Sequence, residues 1–278
     1  MTSTDRRAAL RAGAALLAGA AVTPACTPTG AGTVMSPTPE QPAGEQPGRE
    51  QPSPQQPGPG QPTPEHKPPA APGPRRFPGL PDQITHGPRT HPRVALTFHG
   101  QGDPATARAL LAEAERHGAR VTVLAVGTWL DDHPELARRI LDGGHDLGNH
   151  THRHLDIDAM PEAEARAEIT ACAERLKRLT GSIGTWFRPS RAPRASPLVA
   201  RLAREAGYPH VLSYDVDSLD YTAPGAETVT RTVLAQARPG SVVSLHFGHP
   251  DTVAALPAVL NALDRRGLRA VTTTELLS

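Results

Sequence analysis

From about Arg89 onward, short apolar runs alternate with longer segments of helical period. Val94-Ala95-Leu96-Thr97-Phe98 reads as a buried strand. Asp103-Pro104 is a cap followed by a first-turn proline, and predicts a helix over 104–117 with Leu110, Leu111 and Ala114 on one face, ended by Gly118. Strands are predicted at 121–126, 185–188, 210–216, 241–246 and 268–272, with a short strand-like stretch at Asp146-Leu147-Gly148. Helices are predicted at 134–141, 161–180, 197–206, 226–237 and 252–265. About seven strands alternating with helices predict an α/β fold, a parallel sheet covered by helices that is either open or closed into a barrel.

Upstream the texture differs. Residues 27–88 hold eighteen of the chain's thirty-one prolines, mixed with Gln, Gly, Glu and Thr, and Glu-Gln-Pro recurs at 40–42, 45–47 and 50–52. Such a segment buries too little apolar surface to fold and is expected to be a disordered, extended tether. Residues 1–26 read as an export signal. Arg6-Arg7 precede an alanine-rich run, Ala12 to Val22, that is too short for a permanent membrane span. The paired arginines resemble a twin-arginine signal, and Ala25-Cys26 resembles the end of a bacterial lipoprotein signal. The expectation is an exported chain, either a surface lipoprotein or secreted, whose only membrane contact is a lipid anchor at Cys26.

Composition narrows the function. A net charge of +1 and 3% aromatic residues give no electrostatic or stacking case for nucleic acid. Cys172, inside a predicted helix, reads as a small buried residue, since lipidation of Cys26 leaves it no disulfide partner. A monomer is expected.

The chemistry gathers where parallel α/β folds place it, at the C-terminal ends of strands. His99, the run His150-Thr151-His152-Arg153-His154, Arg188, the trio Asp215, Asp217 and Asp220, and His246 all fall there. On a helical turn His150 and His154 would share a face, and on an extended segment all three histidines of the run would point one way. Either arrangement makes a metal-site candidate; the plain alternative is a solvated loop whose histidines only make hydrogen bonds.

These residues carry a resemblance. The segment 89–278 is similar to the NodB-homology polysaccharide deacetylases, carbohydrate esterase family 4. The match runs through His150-Thr151-His152-Arg153-His154, Phe187-Arg188-Pro189, Asp217-Ser218-Leu219-Asp220-Tyr221 and Ser244-Leu245-His246. The resemblance implies a distorted (β/α) barrel and a divalent metal, expected to be zinc, used to remove acetyl groups from a cell-wall or other acetylated glycan. It implies His150 and His154 as metal ligands and His246 as the general acid, oriented by Asp220. Arg188 would position the base, and Tyr221 would line the groove.

Two motifs depart from the family. Thr97-Phe98-His99-Gly100 stands where the family has Thr-Phe-Asp-Asp, so the carboxylates of both the base and the third ligand are gone. His99 is expected to take over one of those roles, base or third ligand. Asp103 is either a replacement carboxylate or a helix cap. Ser190-Arg191-Ala192 replaces Pro-Tyr-Gly. The backbone N–H there can still hold an oxyanion, and Arg191 and Arg194 are candidates for contact with an acidic substrate. The rival reading is a glycan-binding relic whose catalysis went with the two aspartates.

Overall fold

The structure, a computed structural model, describes residues 70–278. The expected export signal, Cys26 and most of the expected tether lie outside the described residues. The strands are β1 (Gln83–Ile84), β2 (Arg93–Gly100), β3 (Thr122–Ala125), β4 (Asp146–Asn149), β5 (Val211–Leu212), β6 (Val216–Asp217), β7 (Val242–His246) and β8 (Arg269–Val271). The helices are α1 (Pro104–Arg116), α2 (Gly127–Asp132), α3 (Glu135–Asp142), α4 (Glu162–Thr180), α5 (Pro197–Glu205), α6 (Ala226–Gln236), α7 (Pro250–Arg265) and α8 (Thr273–Leu276).

Every pairing between these strands is parallel, and the main sheet runs β4-β3-β2-β7-β6, with β8 also on β2. Single bridges at Phe187, to Asn149 and to Val211, carry the order round to the β1–β5 pair. This is the distorted barrel expected of an α/β chain with alternating strands and helices.

Strand alternation sorts the side chains into two layers. Val94, Leu96 and Phe98 of β2, with Val243 and Leu245 of β7, face outward into the large core shared with α1, α6 and α7. Ala95 of β2, Leu124 of β3 and Val242 of β7 face inward, where Trp186, Val271, Leu276 and Leu277 join them. Along β2 the inward positions read Ala95, Thr97, His99; along β7 they read Val242, Ser244, His246. The barrel interior thus changes from apolar at the N-terminal ends to ionisable at the C-terminal ends. Parallel register sets His99 directly beside His246.

The folded domain starts earlier than residue 89. The Ala71 N–H donates to the Thr180 carbonyl at 2.9 Å, Phe77 stacks on Trp186 with ring centroids 5.5 Å apart, and Ile84 in β1 is buried. A Pro-rich segment makes few internal hydrogen bonds, but its extended backbone can bond to a neighbour. Averaged composition hid the apolar anchors Phe77, Leu80 and Ile84. Two strands also differ from expectation. Only Phe187 of 185–188 bridges, and 210–216 is broken between β5 and β6.

Candidate active site

His150 and His154 do come together, though neither on a helix nor on a strand. Thr151 and His154 have φ of 67° and 56°, so the loop curls through two left-handed residues. Asn149 holds the start of this loop. Its Oδ1 accepts from the Thr151 N–H, and its Nδ2 donates to the Ile169 carbonyl and the Tyr208 hydroxyl. The curl turns His150 and His154 to one side, with ring centroids 4.8 Å apart. His152 faces away, toward Gly127 and Asp131.

Nδ1–H of the buried His150 donates to the Arg188 carbonyl at 3.0 Å. That fixes the tautomer and leaves Nε2 buried without a partner. The His99 ring stands 4.4 Å from that of His150, and one nitrogen each from His99, His150 and His154 lies within 4.8 Å of the others. A buried, orphaned imidazole nitrogen amid two more imidazoles is a donor set that suits a divalent metal, and the Arg188 carbonyl orients the His150 ring as such ligands require. The three residues fit a metal.

Burial pushes His99 and His150 well below the ordinary histidine range, with charged neighbours adding to it. His154 is lowered to about 4, by burial first and then by Arg191 and His246. All three rings are neutral near pH 7, the form that ligates.

Arg188 is completely buried. Its Nε and Nη2 donate to the carbonyls of Leu212 and Ser213, and its Nη1 donates to His99 Nε2 at 3.3 Å. Burial lowers it to about 10, so it remains a cation, lying over the Tyr214 ring. Ser244 Oγ also meets His99 Nε2, at 3.1 Å.

On the other side, His246 Nδ1 lies 2.7 Å from Asp220 Oδ1. Asp220 Oδ2 accepts from the His246 N–H and the Thr252 hydroxyl. Burial alone would raise the Asp220 carboxyl, but the bonds from His246 and Thr252 outweigh it and hold it low. Tyr221 stands edge-on to His246 at 5.5 Å. A cavity of about 510 Å³ opens over these groups, lined among others by His99, His154, Arg191, Tyr221, His246 and His249.

Three sequence candidates fall elsewhere. Asp215 pairs with Arg89 and accepts from Ser241 and the Val242 N–H, a structural knot between strands. Asp103 caps α1 by accepting from the Ala105 N–H at 2.8 Å. Arg194 is exposed and is not part of the cavity lining. Ser244, Thr252 and Tyr214 were missed. Ser244 was legible, because it sits two residues before His246 on the same strand face; Thr252 and Tyr214 carried no sequence signal.

Residues 86–211 match the polysaccharide deacetylase family. A peptidoglycan-N-acetylglucosamine deacetylase of Bacillus cereus is 32% identical over 188 residues, which are 66% of this chain and 87% of the relative. The chain belongs to this family, carbohydrate esterase family 4. Among solved structures, the Bc1960 peptidoglycan N-acetylglucosamine deacetylase superposes with a TM-score of 0.66 at 29% identity, covering 70% of this chain and 92% of that one. A family pseudoenzyme from Bacillus anthracis, BA3943, superposes with a TM-score of 0.67 at 22% identity over 72% and 70%, a likeness of fold.

Proposed function

We propose that this chain is an exported hydrolase that removes acetyl groups from an amino sugar or another acetylated cell-wall glycan, using a divalent cation held by His150, His154 and His99. Zinc is the ion that three imidazoles suit. The observation that carries the reading is the His246–Asp220–Thr252 arrangement. A buried carboxylate under a cavity-lining imidazole is costly to keep unless its bonds are used, and a passive glycan surface has no need of it.

The cation supplies Lewis-acid polarisation of the acyl carbonyl. Everything else falls to side chains and backbone of the chain. Asp220 keeps a proton on Nδ1 of His246, so Nε2 faces the cavity; it takes a proton from the water that attacks the acyl carbon and, as imidazolium, returns it to the leaving amine or alkoxide as the carbon–nitrogen or carbon–oxygen bond breaks. Asp220 also stabilises the imidazolium form from which that proton comes. A backbone N–H in the loop after Arg188 is the donor for the developing oxyanion. Arg188 holds His99 by its ring edge, and its N–H occupies the Nε2 lone pair and leaves the ring proton on Nδ1, so His99 is the weakest of the three proposed ligands. Tyr221, which lines the cavity, is half exposed, with its ring edge-on to His246. Its ring offers apolar contact to the face of a sugar. The relatives' named action on peptidoglycan supports the same substrate class.

The test is acetate release from an acetylated chito-oligosaccharide, read together with metal content. Stoichiometric metal with turnover supports the hydrolase, and absence of both sinks it. One observation favours the rival, a catalytically impaired glycan-binding relic. Gly100 offers no ligand, and a Cβ there would meet Val123 Cγ1 at 2.9 Å and Ala125 Cα at 3.1 Å. Glycan binding without metal or turnover would establish that reading.

A further inference from the structure

Helix α4 buries one face, with Ala165, Ile169, Cys172, Ala173 and Leu176 turned into the cores. Glu168 lies on that same face and is 2% exposed. A carboxylate at a core position is costly unless its oxygens are bonded. Here they are. Oε2 accepts from the backbone N–H of His152 at 3.1 Å and of Arg153 at 2.7 Å, and Oε1 accepts from Arg153 Nε at 2.6 Å. All three donors belong to the short link between His150 and His154. None of the chemistry proposed above uses Glu168.

The link is held from its other side as well. At the start of α2 the N–H groups of Gly127 and Thr128 donate to the carbonyls of Thr151 and His152, at 2.9 Å and 2.8 Å. The Thr151 N–H goes to Asn149 Oδ1. Every backbone N–H from Thr151 to Arg153 therefore has an acceptor, and for His152 and Arg153 that acceptor is Glu168. His150 has the Arg188 carbonyl to orient its ring. The His154 ring has no such hydrogen bond among the described residues, so its place depends on the backbone that carries it. That backbone is fixed at the Arg153 N–H by Glu168 and at the Leu155 carbonyl by Ser190.

We infer that Glu168 is a positioning residue for the metal centre: through the two backbone N–H groups it fixes the link and sets His154 opposite His150 before a cation arrives. The inference rests on the metal reading above and gives a role to a carboxylate outside the ligand set. A loop already in its ligating shape loses less freedom on binding, and removing a partner that orients a ligand costs about 10- to 100-fold in metal affinity.

The experiment measures zinc affinity by calorimetry on the full chain stripped with chelator, with a thermal melt of each zinc-free variant. In Glu168→Ala both N–H groups lose their acceptor, and zinc should bind about 10- to 100-fold more weakly. In Glu168→Gln the amide oxygen takes the place of Oε2 and accepts from both. The amide nitrogen then faces Arg153, whose half-exposed side chain is free to turn to solvent. Zinc affinity should stay within about threefold of wild type. Arg153→Gln keeps its backbone N–H and should leave the affinity unchanged. Leu176→Ala, a truncation on the same face of α4, should lower the melting temperature without weakening zinc, which separates positioning from lost packing. If Glu168→Ala does not fold, Glu168→Asp replaces it, since a carboxylate one methylene shorter falls short of the two amides and should weaken zinc likewise. Wild-type affinity in the folded variant, or a loss in Glu168→Gln as large as in that variant, overturns the inference. Acetate release from an acetylated chito-oligosaccharide is read in parallel. Zinc weakened by the variant, with no release by wild type, keeps this inference and sinks the hydrolase. Turnover with zinc affinity indifferent to the variant keeps the hydrolase and sinks this inference, and no zinc binding by wild type sinks both.

Discussion

The two walls of the cavity are built on different terms. On the β7 side each oxygen of Asp220 has a partner, and His246 is held by ring and backbone together. On the β2 and β4 side three imidazoles crowd one another with no carboxylate in their group, and His150 Nε2 has nothing to bond. The first wall is complete as it stands. The second is the one that the proposed cation would complete, because neutral imidazoles with free lone pairs gain nothing from each other. Divergence has therefore struck one wall and spared the other.

The largest effect should come from the intact wall. His246→Ala is expected to lower the deacetylation rate by about 10² to 10⁴ while metal content stays at wild-type level. Metal lost along with the rate would make His246 a ligand and erase the division between the walls. Asp220→Asn should fall in the same direction by less, since the ring survives but loses the charge that steadies its cationic form.

Metal titration sharpens the other wall. His150→Ala should abolish zinc binding in calorimetry, because it removes the nitrogen pre-set by the Arg188 carbonyl. His99→Ala should weaken zinc about 10- to 100-fold, less than His150→Ala, since Arg188 already draws on Nε2 of His99. Unchanged zinc affinity with a rate loss of about 10² would instead make His99 the base. Equal loss in both variants would deny the proposed ranking of ligands.

A smaller effect concerns Gly100. Restoring the family's carboxylate by Gly100→Asp should lower stability by about 1–3 kcal/mol, because the new Cβ is driven into Val123 and the β3 backbone. Pairing it with Val123→Ala relieves the side-chain contact at 2.9 Å but not the 3.1 Å approach to Ala125 Cα. Thermal melts of the two variants should then differ, with the double variant recovering part of the loss. A single variant as stable as wild type would mean the strand end yields easily.

How much of this was legible in the sequence depends on the distance over which the signal acts. Strand and helix periods are local, and they placed β2, α1, α4 and β7 to within a few residues. Strand alternation likewise put His99 and His246 at the same end of the sheet. The pairing of His150 with His154 was legible as an association but not as a shape, because it depends on left-handed φ at Thr151 and His154, and Thr151 is held by Asn149, itself fixed by the distant Ile169 and Tyr208. Asp215 looked like a site residue from its spacing alone. What claimed it is Arg89, far off in sequence and the first residue after the stretch read as tether. The start of the domain was misjudged for the same reason, since Phe77 is an anchor only because Trp186 lies where it can stack.

The smallest effect separates the walls by acid. Burial first, then cationic neighbours, hold His99 and His150 well below the usual 6.5 and His154 at about 4. In the unfolded chain these rings return to the usual value. Between about 6.5 and 4 the unfolded state of the metal-free protein therefore binds protons that the folded state refuses. Their contribution to stability is complete above 6.5 and is lost as the pH falls through that window. The urea midpoint of the protein stripped with chelator should drop over this range. His154→Gln, which removes one of the three rings, should make the drop shallower by a modest amount, because His154 is only partly buried and solvent screens it. Zinc should hold the midpoint up in the upper part of the window, since it competes with protons for the same nitrogens. A midpoint in the stripped protein that stays level from pH 6.5 to 4, or a slope that His154→Gln leaves unchanged, would mean that these rings are not held neutral, and that the second wall is no more dependent on a cation than the first.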